Sequence, residues 1–220
     1  MRYMKMLSLA AVAAAALMAF VGAGTASAKE GVICSTTTNP CNSKWPVKTT
    51  LLFSLKPGTS ARLTNAENGE VLDTCTGTET TVHLDLVANP DATGTATFED
   101  TSVLWKTCTF PTTTLAGFAG KLKVERIAGT SNGTVKVDEK GEARVTINTV
   151  FFGSCVYGVK AGAHLGIITE GKANESHFTA ENAAVEKLEG SNVACPPKAN
   201  WSATYVLTVP KETTLSVSST

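Results

Sequence analysis

The sequence predicts an all-β fold, a disulfide-stabilised β-sandwich, and three observations lead to that prediction. Threonine, whose branched side chain favours strands over helices, occurs 32 times among residues 29–220. Apolar and polar residues alternate in several short runs, of which the longest is 201–209. All 6 cysteines follow an export signal, an arrangement typical of disulfide-bonded secreted proteins.

The first element is a predicted signal peptide, residues 1–28. Arg2 and Lys5 give it a positive start, an apolar run follows, and an A-x-A motif ends it at Ala28. The alternative is a retained membrane anchor, but the apolar run is shorter than the span of about 20 residues that a bilayer requires. We expect cleavage after Ala28 and a domain over 29–220 that is secreted, extracellular or in the cell envelope, with no transmembrane segment left.

The charge balance gives no sign of a nucleic-acid partner. The whole chain has 19 basic and 19 acidic side chains and a sequence pI of about 6.8. Losing Arg2 and Lys5 with the signal peptide leaves a net charge of about −2. A surface that binds nucleic acid needs a basic field, which this composition does not supply.

Beyond the signal peptide, alternating segments predict strands and are separated by turn signals. The alternating segments are 82–86, 122–124, 145–151 and 201–209, and the turn signals are 56–58, 68–69, 89–91, 131–133 and 140–141. Only 180–188 has loosely helical spacing, and we predict a strand there too. Such a pattern is typical of a sandwich or a barrel, and a sandwich with two related halves, 29–115 and 116–220, is our prediction.

The apolar positions of these strands form the predicted core. Its members are Phe53, Val82, Leu84, Leu86, Phe98, Leu104, Leu122, Val124, Val145, Ile147, Phe151, Tyr157, Phe178, Trp201, Tyr205 and Leu207.

The cysteine spacing favours disulfides over a zinc site, because zinc sites use closer pairs such as C-x2-C. Fifteen pairings are formally allowed. Cys34 and Cys41 enclose a short loop with an Asn-Pro turn signal. Phe98 follows Cys75 at the same spacing as Phe178 follows Cys155, which suggests a repeat with one bridge in each half. The predicted bridges are Cys34–Cys41, Cys75–Cys108 and Cys155–Cys195; coincidence in a chain rich in Thr, Ala and Gly is the alternative to the repeat.

Several motifs together resemble a family of secreted, uncharacterised, β-rich proteins from actinobacteria. They are the early cysteine pair in ICSTTTNPC, Val71-x-x-x-Cys75, the strand that ends at Cys108, Cys155-Val-Tyr157, Cys195-Pro196, Trp201-Ser-Ala-Thr-Tyr205 and Pro210. The resemblance implies export, β structure and paired cysteines. It implies no activity and no catalytic residue.

The candidate chemistry in the sequence is sparse. His83 and Asp85 lie on the polar side of an alternating strand, where exposure explains both. The adjacent Glu99 and Asp100 point to opposite faces of a strand, so they cannot act together on one bond. The sequence has no nucleophile motif, phosphate loop or metal triad, and we expect no catalytic residue, metal or cofactor. Trp45, after the first cysteine loop, is the candidate ligand contact, as an exposed aromatic platform.

The sequence therefore predicts a non-catalytic protein of the envelope or extracellular space, a binding or structural module whose partner is an envelope protein or a glycan. One alternative is a secreted hydrolase for glycans or esters with dispersed acidic residues. Another is a small inhibitor or toxin-like binder that uses the loop between Cys34 and Cys41.

Overall fold

The computed structural model describes residues 30–90, 94–110, 114–119, 121–138, 142–149, 152–211 and 213–219. Within these residues every regular element is a strand, as the threonine content and alternation predict. The strands are β1 Val32–Cys34, β2 Thr50–Leu55, β3 Ala61–Asn65, β4 Val71–Cys75, β5 Thr81–Ala88, β6 Ala96–Trp105, β7 Thr114–Ala119, β8 Leu122–Arg126, β9 Gly133–Val137, β10 Glu142–Thr149, β11 Gly153–Val159, β12 His164–Ile168, β13 His177–Lys187, β14 Lys198–Val209 and β15 Ser216–Ser218. The predicted signal peptide lies outside the described residues, and the part of the chain that the structure describes has no helix that could span a membrane.

The main sheet closes on itself as an eight-strand barrel instead of forming the two separate layers of a sandwich. The ring runs β14-β2-β5-β6-β7-β10-β11-β13, and β13 pairs back with β14. This corrects the sandwich prediction. Both architectures share the same alternation, and only the pairing of strands that are distant in sequence, such as β2 with β14, distinguishes them.

The long strands β6 and β13 each change partner midway. Residues 96–98 of β6 pair with β8, whereas 102–105 pair with β7. Residues 178–179 of β13 pair with β12, whereas 186–187 pair with β11. Thus β8, β9 and β12 connect the amino-terminal parts of the two long strands, and β7, β10 and β11 connect their carboxyl-terminal parts.

The strand pairings follow one scheme twice along the chain. β2 pairs with β5, β3 with β4 and β5 with β6; likewise β9 pairs with β12, β10 with β11 and β12 with β13. In the first set of strands, the 12-residue β14 pairs with both β2 and β3. In the second set, β8 pairs with β9 and β7 pairs with β10, so β7 and β8 together correspond to β14. The scheme therefore divides the chain between β8 and β9, which is later in the sequence than the predicted boundary between residues 115 and 116.

Most of the predicted core is buried inside the barrel. The buried members are Phe53, Val82, Leu84, Leu86, Phe98, Leu122, Val124, Ile147, Tyr157, Phe178, Trp201, Tyr205 and Leu207. Leu104 and Val145 are only partly buried, and Phe151 lies outside the described residues. Leu104 is displaced because a register shift in β6 changes the inward-facing side, so Val103 and Trp105 are buried in its place.

Three disulfides join Cys34 to Cys41, Cys75 to Cys108 and Cys155 to Cys195, the same pairs that the sequence predicts. The second joins the end of β4 to the residues after β6. The third joins β11 to the residues after β13. These two bridges therefore hold matching places in the two parts of the pairing scheme.

Candidate functional site

A surface groove of about 540 Å³ lies where three turns meet at the ends of β2 and β14. The turns are those at 56–59, 76–80 and 171–176. The groove is lined by Ser54, Leu55, Lys56, Pro57, Thr78, Asn174, Val206 and Thr208. Its volume falls in the range of about 300–1,000 Å³ that ligand pockets occupy.

Main-chain hydrogen bonds fix the walls of this groove to the barrel. The Lys56 N–H donates to the Thr204 carbonyl at 2.9 Å, and the Asn174 N–H donates to the Leu207 carbonyl at 2.8 Å. Both acceptors belong to β14. Asn174 has a φ of 69°, a conformation that asparagine tolerates better than most residues. The groove is thus formed before any ligand arrives, as in sites whose loops stand on a rigid scaffold.

The groove offers a few hydrogen-bonding groups within a mainly apolar surface. The Thr78 hydroxyl, the Asn174 amide and the Lys56 ammonium group make no hydrogen bond to any residue that the structure describes. In the floor, the Ser54 and Thr208 hydroxyl oxygens lie 3.5 Å apart. These hydroxyl, amide and ammonium groups can bind a polyhydroxylated or amide-bearing ligand.

His177 begins β13 beside the 171–176 turn, directly opposite Val206 of the groove floor. Partial burial lowers the pKa of His177, and the positive charge of Lys56 lowers it further. The imidazole is therefore mainly neutral at pH 7 and adds a donor or acceptor, not a charge, near the groove.

A second, smaller cavity lies beside the aromatic side chains of the barrel. Trp201 has its ring centroid 6.3 Å from those of Trp105 and Tyr205, and 6.1 Å from that of Phe178. The cavity beside these rings has a volume of about 40 Å³ and an apolar lining that includes Val159, Leu165 and Val185. It accommodates a water molecule or a methyl group and is far smaller than a typical ligand pocket.

Trp45 does not form the exposed platform that the sequence predicts. Its side chain is only 3% exposed, and its indole N–H donates to the Thr214 carbonyl at 3.2 Å. The Asn89 side chain donates to the Trp45 carbonyl at 2.9 Å and holds the segment against β1. The position of Trp45 after the first cysteine loop predicts exposure, but a bond to Thr214, just before β15, holds the buried indole in place.

The acidic and histidine candidates lie on the outer face of β5 and β6. His83 and Asp85 alternate with buried leucine and valine positions, as expected for an outward-facing side. Asp85 accepts a hydrogen bond from the Thr50 hydroxyl, and Glu99 forms an ion pair with Lys121 at 2.6 Å. The side chain of Asp100 lies outside the described residues. None of these groups is among the described residues that line the groove.

One group of potential metal ligands occurs in the described part of the chain: Asp73, Cys75 and Cys108, with ligand atoms within 4.8 Å of one another. The two sulfur atoms are already joined in a disulfide. A disulfide sulfur is not the thiolate that binds metals, so this group is not a metal site in the oxidised protein.

The chain matches no protein-family model, and searches of the curated proteins and of the solved structures found no match. The site therefore has to be interpreted from its own geometry. The turn signal at 56–58 predicts one wall of the groove. No sequence signal shows that the turns at 76–80 and 171–176 lie beside this wall, because at least two strands separate each of them from it along the chain.

Proposed function

We propose that this protein is an exported, non-catalytic binding module whose groove between the three turns binds a segment of a glycan in the cell envelope or outside the cell. The observation that carries the proposal is the groove itself: about 540 Å³, preformed, and lined by apolar surface from which hydroxyl, amide and ammonium groups are reached. Three disulfides support export, because such bridges persist in oxidising compartments.

The size of the two spaces favours the groove over the smaller cavity. The cavity of about 40 Å³ is too small for a sugar ring, whereas the groove of about 540 Å³ falls within the size range of ligand pockets. Sugar hydroxyl groups would exchange hydrogen bonds with Asn174, Thr78 and Lys56. The apolar face of a ring would contact Pro57 and Val206.

The repeated pairing scheme supports a further proposal, that the two halves of the fold arose by duplication. The bridges Cys75–Cys108 and Cys155–Cys195 hold matching places in that scheme. The groove takes residues from both sides of the division between β8 and β9, since β2 contributes to its floor from one side and β14 from the other. The resemblance to exported actinobacterial proteins is consistent with this proposal and with export.

Soluble tetrasaccharides of the chitin, cellulose and mannan types provide a direct test. We expect at least one of them to shift the backbone NMR resonances of Lys56, Asn174 and Val206 in a titration. Asn174→Gly keeps the backbone conformation and removes the amide, so it should weaken binding about fivefold to tenfold, the value of one hydrogen bond. Asn182, with a φ of 50° and an exposed side chain, provides the matched control Asn182→Gly.

The proposal fails if no tetrasaccharide shifts the groove resonances. It also fails if Asn174→Gly and Asn182→Gly bind the sugar equally well, because the ligand then lies elsewhere on the molecule.

A further inference from the structure

We propose that the groove prefers an acidic sugar, whose carboxylate forms an ion pair with the Lys56 ammonium group, an inference that rests on the proposed function. Among the described residues that line the groove, Lys56 is the one charged side chain. It is exposed and forms no ion pair with any residue that the structure describes. An anionic group of the ligand is the partner that this charge favours.

The acidic side chains on the three turns around the groove are engaged by other groups. Glu79, in the 76–80 turn, forms an ion pair with Lys106 at 3.4 Å. Glu175, in the 171–176 turn, accepts a hydrogen bond from the Lys172 main-chain N–H at 3.4 Å. The turn at 56–59 contains no acidic residue. The groove therefore presents the positive charge of Lys56 beside a mainly apolar surface.

The apolar surface suits the rest of an acidic sugar ring. Pro57 follows Lys56 directly, and Val206 lies opposite Ser54 in the pairing of β2 with β14. A pyranose ring has an apolar face formed by its C–H groups, and a uronic acid has a carboxylate at the edge of that ring. A ring that packs on Pro57 can therefore place its carboxylate within reach of the flexible Lys56 side chain.

His177 lies next to this positive charge. It pairs with Val206 of β14, and Val206 pairs with Ser54 of β2, so these three residues form a row across the strands beside the groove. On its other side, the His177 main-chain N–H donates to the Thr169 hydroxyl at 3.0 Å. The residues that pair with or bind His177 from these directions are uncharged.

The charged groups near His177 come from the adjoining turns. Partial burial lowers the pKa of His177 from 6.5, Lys56 lowers it further, and a hydrogen bond with the Glu175 main chain acts in the opposite direction. The Glu175 carboxylate itself accepts the Lys172 N–H. A bound carboxylate would offset the effect of Lys56 and favour the protonated imidazole. Binding of an acidic sugar should therefore strengthen as the pH falls below 6.5.

Pairs of tetrasaccharides that differ only in the carboxylate test the proposal. A cellulose-type tetrasaccharide is compared with tetraglucuronic acid, and a mannan-type one with tetramannuronic acid, each pair having the same linkage. Affinities come from NMR titrations of the groove amides. We expect at least one acid to bind about threefold to tenfold more tightly than its neutral counterpart.

Three variants assign this difference to particular groups. Lys56→Gln removes the charge from an exposed side chain and should abolish the preference for the acid. Lys198→Gln, an exposed position at the opposite end of β14, changes the net charge equally and should preserve the preference. His177→Gln should remove the rise in affinity for the acid below pH 6.5.

The proposal is overturned if both neutral tetrasaccharides bind as tightly as their acids, or if the preference survives Lys56→Gln. The contribution of His177 is refuted if the affinity rises equally below pH 6.5 in His177→Gln. If neither acid binds but a neutral tetrasaccharide shifts the groove resonances, this inference fails and the proposed function stands. If no tetrasaccharide of either kind shifts them, both fail.

Discussion

At the scale of single residues, Tyr205 places a polar hydroxyl group among buried aromatic side chains. Its hydroxyl oxygen accepts the Trp105 indole N–H at 3.2 Å, and its side chain is fully buried. The neighbouring Trp201 indole nitrogen is buried without a hydrogen-bond partner in the described residues. A second indole N–H left unpaired in the same cluster would therefore destabilise the folded state.

Tyr205→Phe creates that second unpaired donor, at Trp105. We expect it to lower the free energy of unfolding by about 1–3 kcal/mol, the cost of leaving a buried group unsatisfied. Tyr157→Phe is the comparison: the Tyr157 hydroxyl donates to the Pro196 carbonyl at 3.1 Å, and Pro196 is only partly buried, so water can replace the lost donor. Its cost should be about 1 kcal/mol or less. Urea unfolding followed by circular dichroism measures both, and equal costs would contradict the assignment.

The buried tyrosines also predict loss of stability at alkaline pH. Burial raises the pKa of Tyr157 from 10.0 to about 12, and burial raises the pKa of Tyr205 as well. Because the folded state holds these protons more tightly than the unfolded chain, their contribution is complete below pH 10.0 and is lost as the pH rises towards 12. The free energy of unfolding should fall across that interval, and the fall should be shallower in Tyr157→Phe. An unchanged slope in that variant would show that Tyr157 does not contribute.

At the scale of the elements, sequence alternation predicts strands well but fails at irregularities within a strand. Val82, Leu84 and Leu86 of β5 are buried as predicted, because β5 keeps one inward face. In β6 the face changes between Phe98 and Val103, and Leu104 was therefore assigned to the core wrongly. A bulge depends on the partner strand, which a single segment of sequence does not reveal.

The disulfides are also expected to contribute unequally to the free energy of unfolding. The bridges Cys34–Cys41 and Cys155–Cys195 span 7 and 40 residues of sequence. Since a longer loop restricts the unfolded chain more, replacing the second pair by alanine should cost about 1.5 kcal/mol more than replacing the first. Urea unfolding of the two double variants gives this difference. Equal losses would mean that native-state contacts, not loop length, determine the contribution of each bridge.

At the scale of the whole molecule, the closed pairing leaves β2 to β14 with neighbours on both sides. β4 pairs with β3 on one side and forms main-chain hydrogen bonds with residues 107–109 on the other. Exposed strand edges are a usual starting point of aggregation, and the pairing covers both sides of these described strands.

The fold and the site differ in how far the sequence predicts them. Strand content and the cysteine pairs depend on composition and spacing, which are local or repeated signals. Barrel closure depends on pairs such as Leu207 with Phe53, which are far apart in sequence. The groove likewise brings Lys56 and Asn174 together only through their shared attachment to β14. The burial of Trp45 is not predictable for the same reason, because the carbonyl that accepts its indole N–H belongs to the distant Thr214.

The pairing of β2 and β3 with β14 has a consequence for how the polypeptide acquires its shape. β2 and β3 pair early with β5 and β4, but each finds its second neighbour only at 198–209, and β1 pairs with the still later β15. Until these residues have been synthesised, one side of β2 and one side of β3 have no strand to pair with. Ring closure is then a late, slow event dominated by distant contacts.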